Sequence, residues 1–259
     1  MVEQVLVTGG SGYLAQWQIV RLLQAGYAVR ATLRNAGRAD EVRAAVGREA
    51  QFARLSFATA DLSRDDGWAD AARDCAYVMH IASPFPIAQP ADPDDLVVPA
   101  RDGALRVLRA AVAAGVRRVV MTSSSSALSD PPIRPRPVPL TEAHWTDAAS
   151  RAATPYVKSK VLAERAAWDF MKGQDVTELV VVVPTTIIGP VLSKDLSASV
   201  HAVRRLVAGD MAGLPRLGFP FVDVRDIADL QLKAMLAPEA ANERIAGAEI
   251  GRASCRERV

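Results

Sequence analysis

Within its first fifteen residues the chain runs from a short apolar segment through a glycine-rich turn into a helical pattern: Val5-Leu-Val-Thr-Gly-Gly-Ser-Gly-Tyr-Leu-Ala15. Gly9, Gly12 and Ala15 recur at three-residue intervals. Gly9 permits a tight turn, Gly12 lets the backbone approach a pyrophosphate, and Ala15 is small enough for the helix to press on the strand. The helix start, at Tyr13 and Leu14, offers unpaired N–H groups to the anion. A strand, this turn and a helix in that order predict a dinucleotide site on a parallel α/β sheet.

The rest of the chain keeps the same alternation. Strands are predicted over Val2–Thr8, Ala28–Leu33, Phe52–Thr59, Tyr77–Ala82, Arg118–Thr122 and Thr177–Val183. Helices are predicted over Tyr13–Gln24, Arg38–Val46, Trp68–Arg73, Leu96–Ala114 and Thr154–Met171. Strands separated by helices of this length imply right-handed crossovers and a sheet covered on both faces. The expected fold class is therefore α/β, a Rossmann doubly wound parallel sheet. Two segments depart from the rhythm. Pro131–Pro139 holds five prolines in nine residues and reads as an exposed loop, within a longer insertion from Ser126 to Ala153 that contains Trp145 and is expected to shape a pocket. After Pro184 the alternation weakens, with a helix over Asp195–Ala208, a short strand over Phe219–Val224 and a helix over Ile227–Met235. The domain expectation is a dinucleotide-binding domain over 1–183 and 223–236, with a small, incomplete substrate lobe over 184–222 and 237–248. Residues 249–259 (EIGRASCRERV) can be written as an in-frame translation of a sequencing adapter and are expected to be non-native.

Composition narrows the function. The 259 residues carry 31 basic and 29 acidic side chains, so no global field draws in nucleic acid or an anionic membrane. The best apolar run, Leu179 to Leu192, is broken by Pro184 and Pro190, short of the roughly 18 residues a spanning helix needs. Glu3 leads directly into a strand, so no signal peptide is expected. Cys75 and Cys255 alone make neither a disulfide framework nor a metal site, and no metal is expected. The expected location is cytoplasmic, with no membrane or nucleic-acid partner; the sequence leaves oligomeric state open.

The end of the second strand separates the two nicotinamide dinucleotides. A carboxylate there would bind the adenosine ribose 2′-OH and repel a 2′-phosphate. Arg34 occupies this place, followed by Asn35 and Arg38, and no acid precedes Asp40. A guanidinium pairs with a phosphate, which favours NADP(H) over NAD. After the third strand, Asp61 and Leu62 stand where they could contact the adenine.

Tyr156-Val-Lys-Ser-Lys160 puts a phenol and an ammonium at i and i+4, on one face of a helix. An ordinary phenol, with a pKa near ~10, exchanges protons poorly at neutral pH. An ammonium about 6 Å away, at an effective dielectric of about 20, favours the phenolate by roughly 2.8 kcal/mol, enough to bring it into working range. Lys160 could also hydrogen-bond the nicotinamide ribose. Upstream, Met121-Thr-Ser-Ser-Ser-Ser-Ala127 ends a strand where open α/β sheets bind ligands, and a serine there could hydrogen-bond a substrate oxygen. Spacing alone leaves open which of the four serines it is.

Together these segments resemble the extended short-chain dehydrogenases/reductases, most closely the group of dihydroflavonol reductases, cinnamoyl-CoA reductases and microbial aldehyde/ketone reductases. The resemblance spans Val2 to Ala248. It rests on VTGGSGYLA (Val7–Ala15), ATLRN (Ala31–Asn35), HIASPF (His80–Phe85), TSSSS (Thr122–Ser126), YVKSK (Tyr156–Lys160), PTTIIGPVL (Pro184–Leu192) and FVDVRDIADL (Phe221–Leu230). It implies Ser124 as the catalytic serine, Tyr156 as the acid and Lys160 as its ribose-binding partner. It further implies that Ala82, Ser83 and Pro84 line the cofactor channel, that Pro184 covers the nicotinamide and that Phe85 faces the substrate. Ala15 departs from the glycine common in the family, and family members normally continue further into a C-terminal substrate lobe. The expected activity is NADPH-dependent reduction of a small-molecule aldehyde or ketone. Its rivals are an NAD-dependent sugar-nucleotide epimerase or dehydratase, which would favour an acid at Arg34, and a non-catalytic NADP-binding protein, which need not keep Tyr156 and Lys160.

Overall fold

The computed structural model describes residues 2–85, 89–129, 140–210 and 220–248. The proline-rich stretch, the adapter-like tail and Cys255 lie outside them. The first half of the chain forms β1 (Gln4–Val7), α1 (Tyr13–Gln24), β2 (Ala28–Leu33), α2 (Ala39–Val46), β3 (Leu55–Thr59), α3 (Trp68–Ala72) and β4 (Tyr77–His80). It continues through α4 (Asp94–Ala113), β5 (Arg118–Thr122), α5 (Pro155–Met171) and β6 (Glu178–Pro184). Then follow β7 (Thr186–Ile188), α6 (Ala198–Val207), β8 (Phe221–Asp223), α7 (Val224–Leu236) and β9 (Arg244–Gly247).

Seven strands form one sheet in the order β3-β2-β1-β4-β5-β6-β9, every pairing parallel. Because both faces are covered, alternate residues of one strand enter different cores. Val5 and Val7 of β1, Met79 of β4, and Val180 and Val182 of β6 join α1, α2 and α7 on one side. Leu6, Val78, Leu179, Val181 and Val183 join α3, α4 and α5 on the other. This explains the unbroken Val180–Val183 run, which no half-exposed strand would carry. Across the first face Arg21 of α1 pairs with Asp229 of α7.

The chain reverses direction across the sheet at β1, between β2 and β4, where the crevice at the strands' C-terminal ends is the usual ligand site of an open α/β sheet. After β6 the described residues up to β8 leave the main sheet: β7 and β8 pair only with each other, and α6 has no buried residue. One expectation changes. The sequence places residues 237–248 in the lobe, yet β9 bonds to β6 as the seventh main-sheet strand, with Arg244 opposite Val181 and Gly247 opposite Pro184. Gly247 suits this place because a side chain would collide with Ile227 of α7, at 2.6 Å. Among the described residues no helix is long and apolar enough to cross a membrane.

Candidate active site

The glycine turn between β1 and α1 is shaped for close approach. Gly9 has φ +70°, and a Cβ there would lie 3.0 Å from that of Ala82. A Cβ on Gly12 would stand 3.2 Å from the Gly9 carbonyl oxygen. Gly12 caps α1 without a side-chain acceptor, and the first turn holds no acidic residue. The helix start at Tyr13 and Leu14 therefore keeps its N–H groups and positive dipole end available to an anion. A pyrophosphate fits this cradle. The Tyr13 ring itself turns inward; burial, and then Asp223, raise its phenol well above the ordinary range.

Ala82 is fixed to this turn by Thr8. The fully buried Thr8 Oγ accepts from the backbone N–H groups of Ile81 (3.0 Å) and Ala82 (2.9 Å) and lies 3.0 Å from His80 Nδ1. With both lone pairs used, the hydroxyl proton goes to Nδ1, so His80 is the neutral Nε2–H tautomer. Burial, reinforced by the nearby Lys160 ammonium, pushes His80 down to about 3. This pins the segment holding Ala82, Ser83 and Pro84 beside the glycine turn. The sequence assigns no role to His80, although it opens the HIASPF motif, or to Thr8. An uncharged histidine at a strand end leaves no mark in sequence periodicity.

Arg34, at the end of β2, is exposed and has no ion pair among the described residues, whereas Arg38 is held by Glu41 (2.9 Å) and Asp195 (3.0 Å). Asn35 caps the following turn by accepting from Gly37 N–H. Asp61 accepts from the backbone and hydroxyl of Ser63, both at 2.8 Å, and those bonds keep its carboxyl below the usual range, with Arg34 adding a smaller attraction. Leu62 packs towards Gly103 of α4.

α5 carries the phenol and the ammonium. Thr154 caps it by accepting from Val157 N–H (3.3 Å), Pro155 takes the first position, and Gln89 Oε1 accepts from Tyr156 N–H (3.0 Å). Lys160 Nζ stands 5.7 Å from the Tyr156 ring centroid. Phe85, 51% exposed, meets that ring edge-on with centroids 5.0 Å apart. Lys160 lines a narrow crevice with His80, Ala82, Ser83, Thr122 and Ser123, at the C-terminal ends of β4 and β5. A roomier cavity of about 330 Å³, beside α7 and β9, contains none of the residues expected to act.

The serines now differ. Ser123 Oγ is committed to the buried Glu164 (2.5 Å). Ser124 accepts from Ser126 N–H (3.2 Å), and its own proton has no acceptor among the described residues. Pro184 is buried at the end of β6. Trp145 lies under the Arg244 guanidinium, 3.9 Å from its ring centroid. Glu164 and Arg244, which tie these elements together, were not singled out in the sequence. The signal for Glu164 was its position eight residues after Tyr156, on the same helix face.

The profile of the NAD dependent epimerase/dehydratase family matches residues 5–246. A dihydroflavonol 4-reductase of Zea mays is 32% identical over 248 residues, which cover 93% of this chain and 69% of the relative. Cinnamoyl-CoA reductase 1 of Arabidopsis thaliana is 35% identical over 242 residues, covering 92% and 68%. Among solved structures, the yeast methylglyoxal/isovaleraldehyde reductase Gre2 complexed with NADPH gives a TM-score of 0.85 at 28% identity, covering 95% of this chain and 78% of that one.

Proposed function

This chain belongs to the NAD dependent epimerase/dehydratase family, among the extended short-chain dehydrogenases/reductases, and from that premise we propose that it reduces an aldehyde or ketone with NADPH, using Tyr156 as the proton donor. It is an oxidoreductase. The observation that carries the finer reading is the shared face of α5: Tyr156 and Lys160 together, beside the crevice lined by Ala82 and Ser83.

The glycine turn and the start of α1 would hold the pyrophosphate, Arg34 the 2′-phosphate, Asp61 and Leu62 the adenine side, and Ala82, Ser83, Pro84 and Pro184 the nicotinamide end. When bound there, the cofactor supplies a hydride to the carbonyl carbon. Ser124 donates its free hydroxyl proton as a hydrogen bond to the carbonyl oxygen and so polarises it. Tyr156 gives its phenolic proton to that oxygen, completing the alcohol, and is reprotonated from solvent. Lys160 keeps a positive charge near the phenolate that this transfer leaves. Phe85 guards the open side of Tyr156, where the substrate enters. The free guanidinium of Arg34, where an acid would favour NAD, supports this reading over the epimerase.

The test is NADPH oxidation with methylglyoxal and isovaleraldehyde, compared between the parent and Tyr156→Phe. The expected outcome is a loss of turnover of roughly 100-fold or more, with NADPH affinity kept within a few-fold. Parental turnover in Tyr156→Phe rejects the proton-donor role.

A further inference from the structure

Tyr156, Lys160 and Glu164 follow one another at four-residue intervals on α5, so the catalytic face continues one turn further into a fully buried carboxylate. Glu164 is completely satisfied. Its Oε2 accepts from Ser123 Oγ (2.5 Å) and Arg244 Nη2 (3.1 Å), and its Oε1 from Arg244 Nε (2.5 Å) and Trp168 Nε1 (3.4 Å). Arg244 spends its remaining reach on the segment before α5. Its Nη1 donates to the carbonyls of Glu142 (2.8 Å) and His144 (2.6 Å), and its guanidinium covers Trp145. Glu164 and its arginine thus join three parts of the fold: α5 with Tyr156 and Lys160, the end of β5 immediately before Ser124, and, through Arg244, the 140–153 segment.

We propose that Glu164 is a positioning residue for the reduction: through Ser123 it fixes the catalytic face of α5 relative to Ser124, and through Arg244 it holds that arrangement against β9. The inference rests on the reductase reading above. Buried ion pairs are weak devices for stability, because desolvation offsets much of the attraction, but their directional bonds define one geometry. The Ser123–Glu164 bond is the informative member. Removing it leaves the ion pair intact, and the Ser123 backbone remains anchored by its N–H to the Val182 carbonyl (2.8 Å).

The experiment compares Ser123→Ala, Ser123→Thr and Glu164→Gln with the parent, using Tyr156→Phe as reference. One readout is kcat and KM with NADPH and methylglyoxal or isovaleraldehyde. The other is the ¹⁹F spectrum of protein labelled with 3-fluorotyrosine, in which Tyr156→Phe identifies the Tyr156 line; it needs neither cofactor nor turnover. Ser123→Ala should lower kcat about tenfold or more with KM for NADPH within about twofold. It should shift or broaden the Tyr156 line and leave the other tyrosine lines in place, and Ser123→Thr should restore both readouts. Glu164→Gln should do at least as much as Ser123→Ala; should it fail to fold, Ser123→Ala decides. A parental kcat in Ser123→Ala while Tyr156→Phe is inactive overturns the positioning role and spares the reductase reading. An unmoved Tyr156 line overturns it as well, even where neither aldehyde is turned over. Parental turnover in Tyr156→Phe removes the reductase reading and this inference with it.

Discussion

Arg34 and Arg38 stand on the same bend, yet only one has a guanidinium to spare. Arg38 answers Glu41 and Asp195, whereas Arg34 is exposed and meets no carboxylate within ion-pair distance among the described residues. A bidentate, charge-assisted contact to a phosphate at a partly solvated site is worth roughly 1.5–3 kcal/mol. Arg34→Ala should therefore weaken NADPH about 10-fold or more and NADH less than about twofold, as read by fluorescence titration; equal losses remove the phosphate role. The arginine was visible in the sequence, but not which of the two was free, because Asp195 is distant in the chain and adjacent only in space. His80 makes a second case at this scale. Its pKa is lowered in the fold from an ordinary 6.5 to about 3, so between these values the unfolded chain binds a proton that the folded one refuses. Stability should thus fall as pH drops from about 6.5 towards 3 and be unaffected by this group above 6.5. In thermal melts His80→Asn, whose amide oxygen can still accept from Thr8, should show a shallower fall across that window; a parental slope would place the acid sensitivity elsewhere.

The phosphate turn is an element in which adjacent glycines answer different demands. Gly10 has an ordinary backbone, but a Cβ would lie 2.7 Å from that of Ala31 on β2, so the turn packs against its neighbouring strand. Gly12, proposed to lie against the pyrophosphate, has a φ of −74° that does not itself require glycine. Gly10→Ala should cost roughly 1–3 kcal/mol of stability through overpacking. Gly12→Ala should cost less than about 1 kcal/mol in a denaturant melt while weakening NADPH about tenfold or more. The reverse pattern would mean that the dinucleotide does not approach Gly12. The same turn shows why much of the fold was legible. Its strand-to-helix order, like the Val180–Val183 run and the α5 pattern, is set by local chemistry and burial on two faces. β7 and β9 were missed because nothing local demands a strand there. Arg244-Ile-Ala-Gly247 is short, holds a charge and a glycine, and extends only because β6 offers an unpaired edge. The site divides likewise: Tyr156 and Lys160 share a face set by helical spacing, whereas Ser123, Ser124 and their partners separate only once β5, α5 and β9 meet.

At the scale of the whole molecule, the last strand of the main sheet is tied to the helix that carries Tyr156 and Lys160. Arg244 on β9 joins the last sheet strand to α5 and to the 140–153 segment through four hydrogen bonds and ring contact with Trp145. The net worth of such a buried pair is small, but the two halves are not interchangeable with nothing. Arg244→Ala leaves Glu164 buried without its counter-charge, and breaking a buried pair from one side costs about 3–5 kcal/mol. For a domain of 150–250 residues, each kcal/mol lowers Tm by roughly 2–4 °C, so a fall of about 6–20 °C is expected in a thermal melt. The double variant Glu164→Gln/Arg244→Met removes both charges, keeps most of the volume, and should recover a large part of that loss. Recovery of Tm without recovery of kcat would separate the two roles of the cluster, since an uncharged pair can hold the helix in the fold without holding Ser123 in register. A Tm for Arg244→Ala within about 2 °C of the parent would mean that solvent already reaches Glu164 and that β9 is fastened by its backbone bonds to β6 alone.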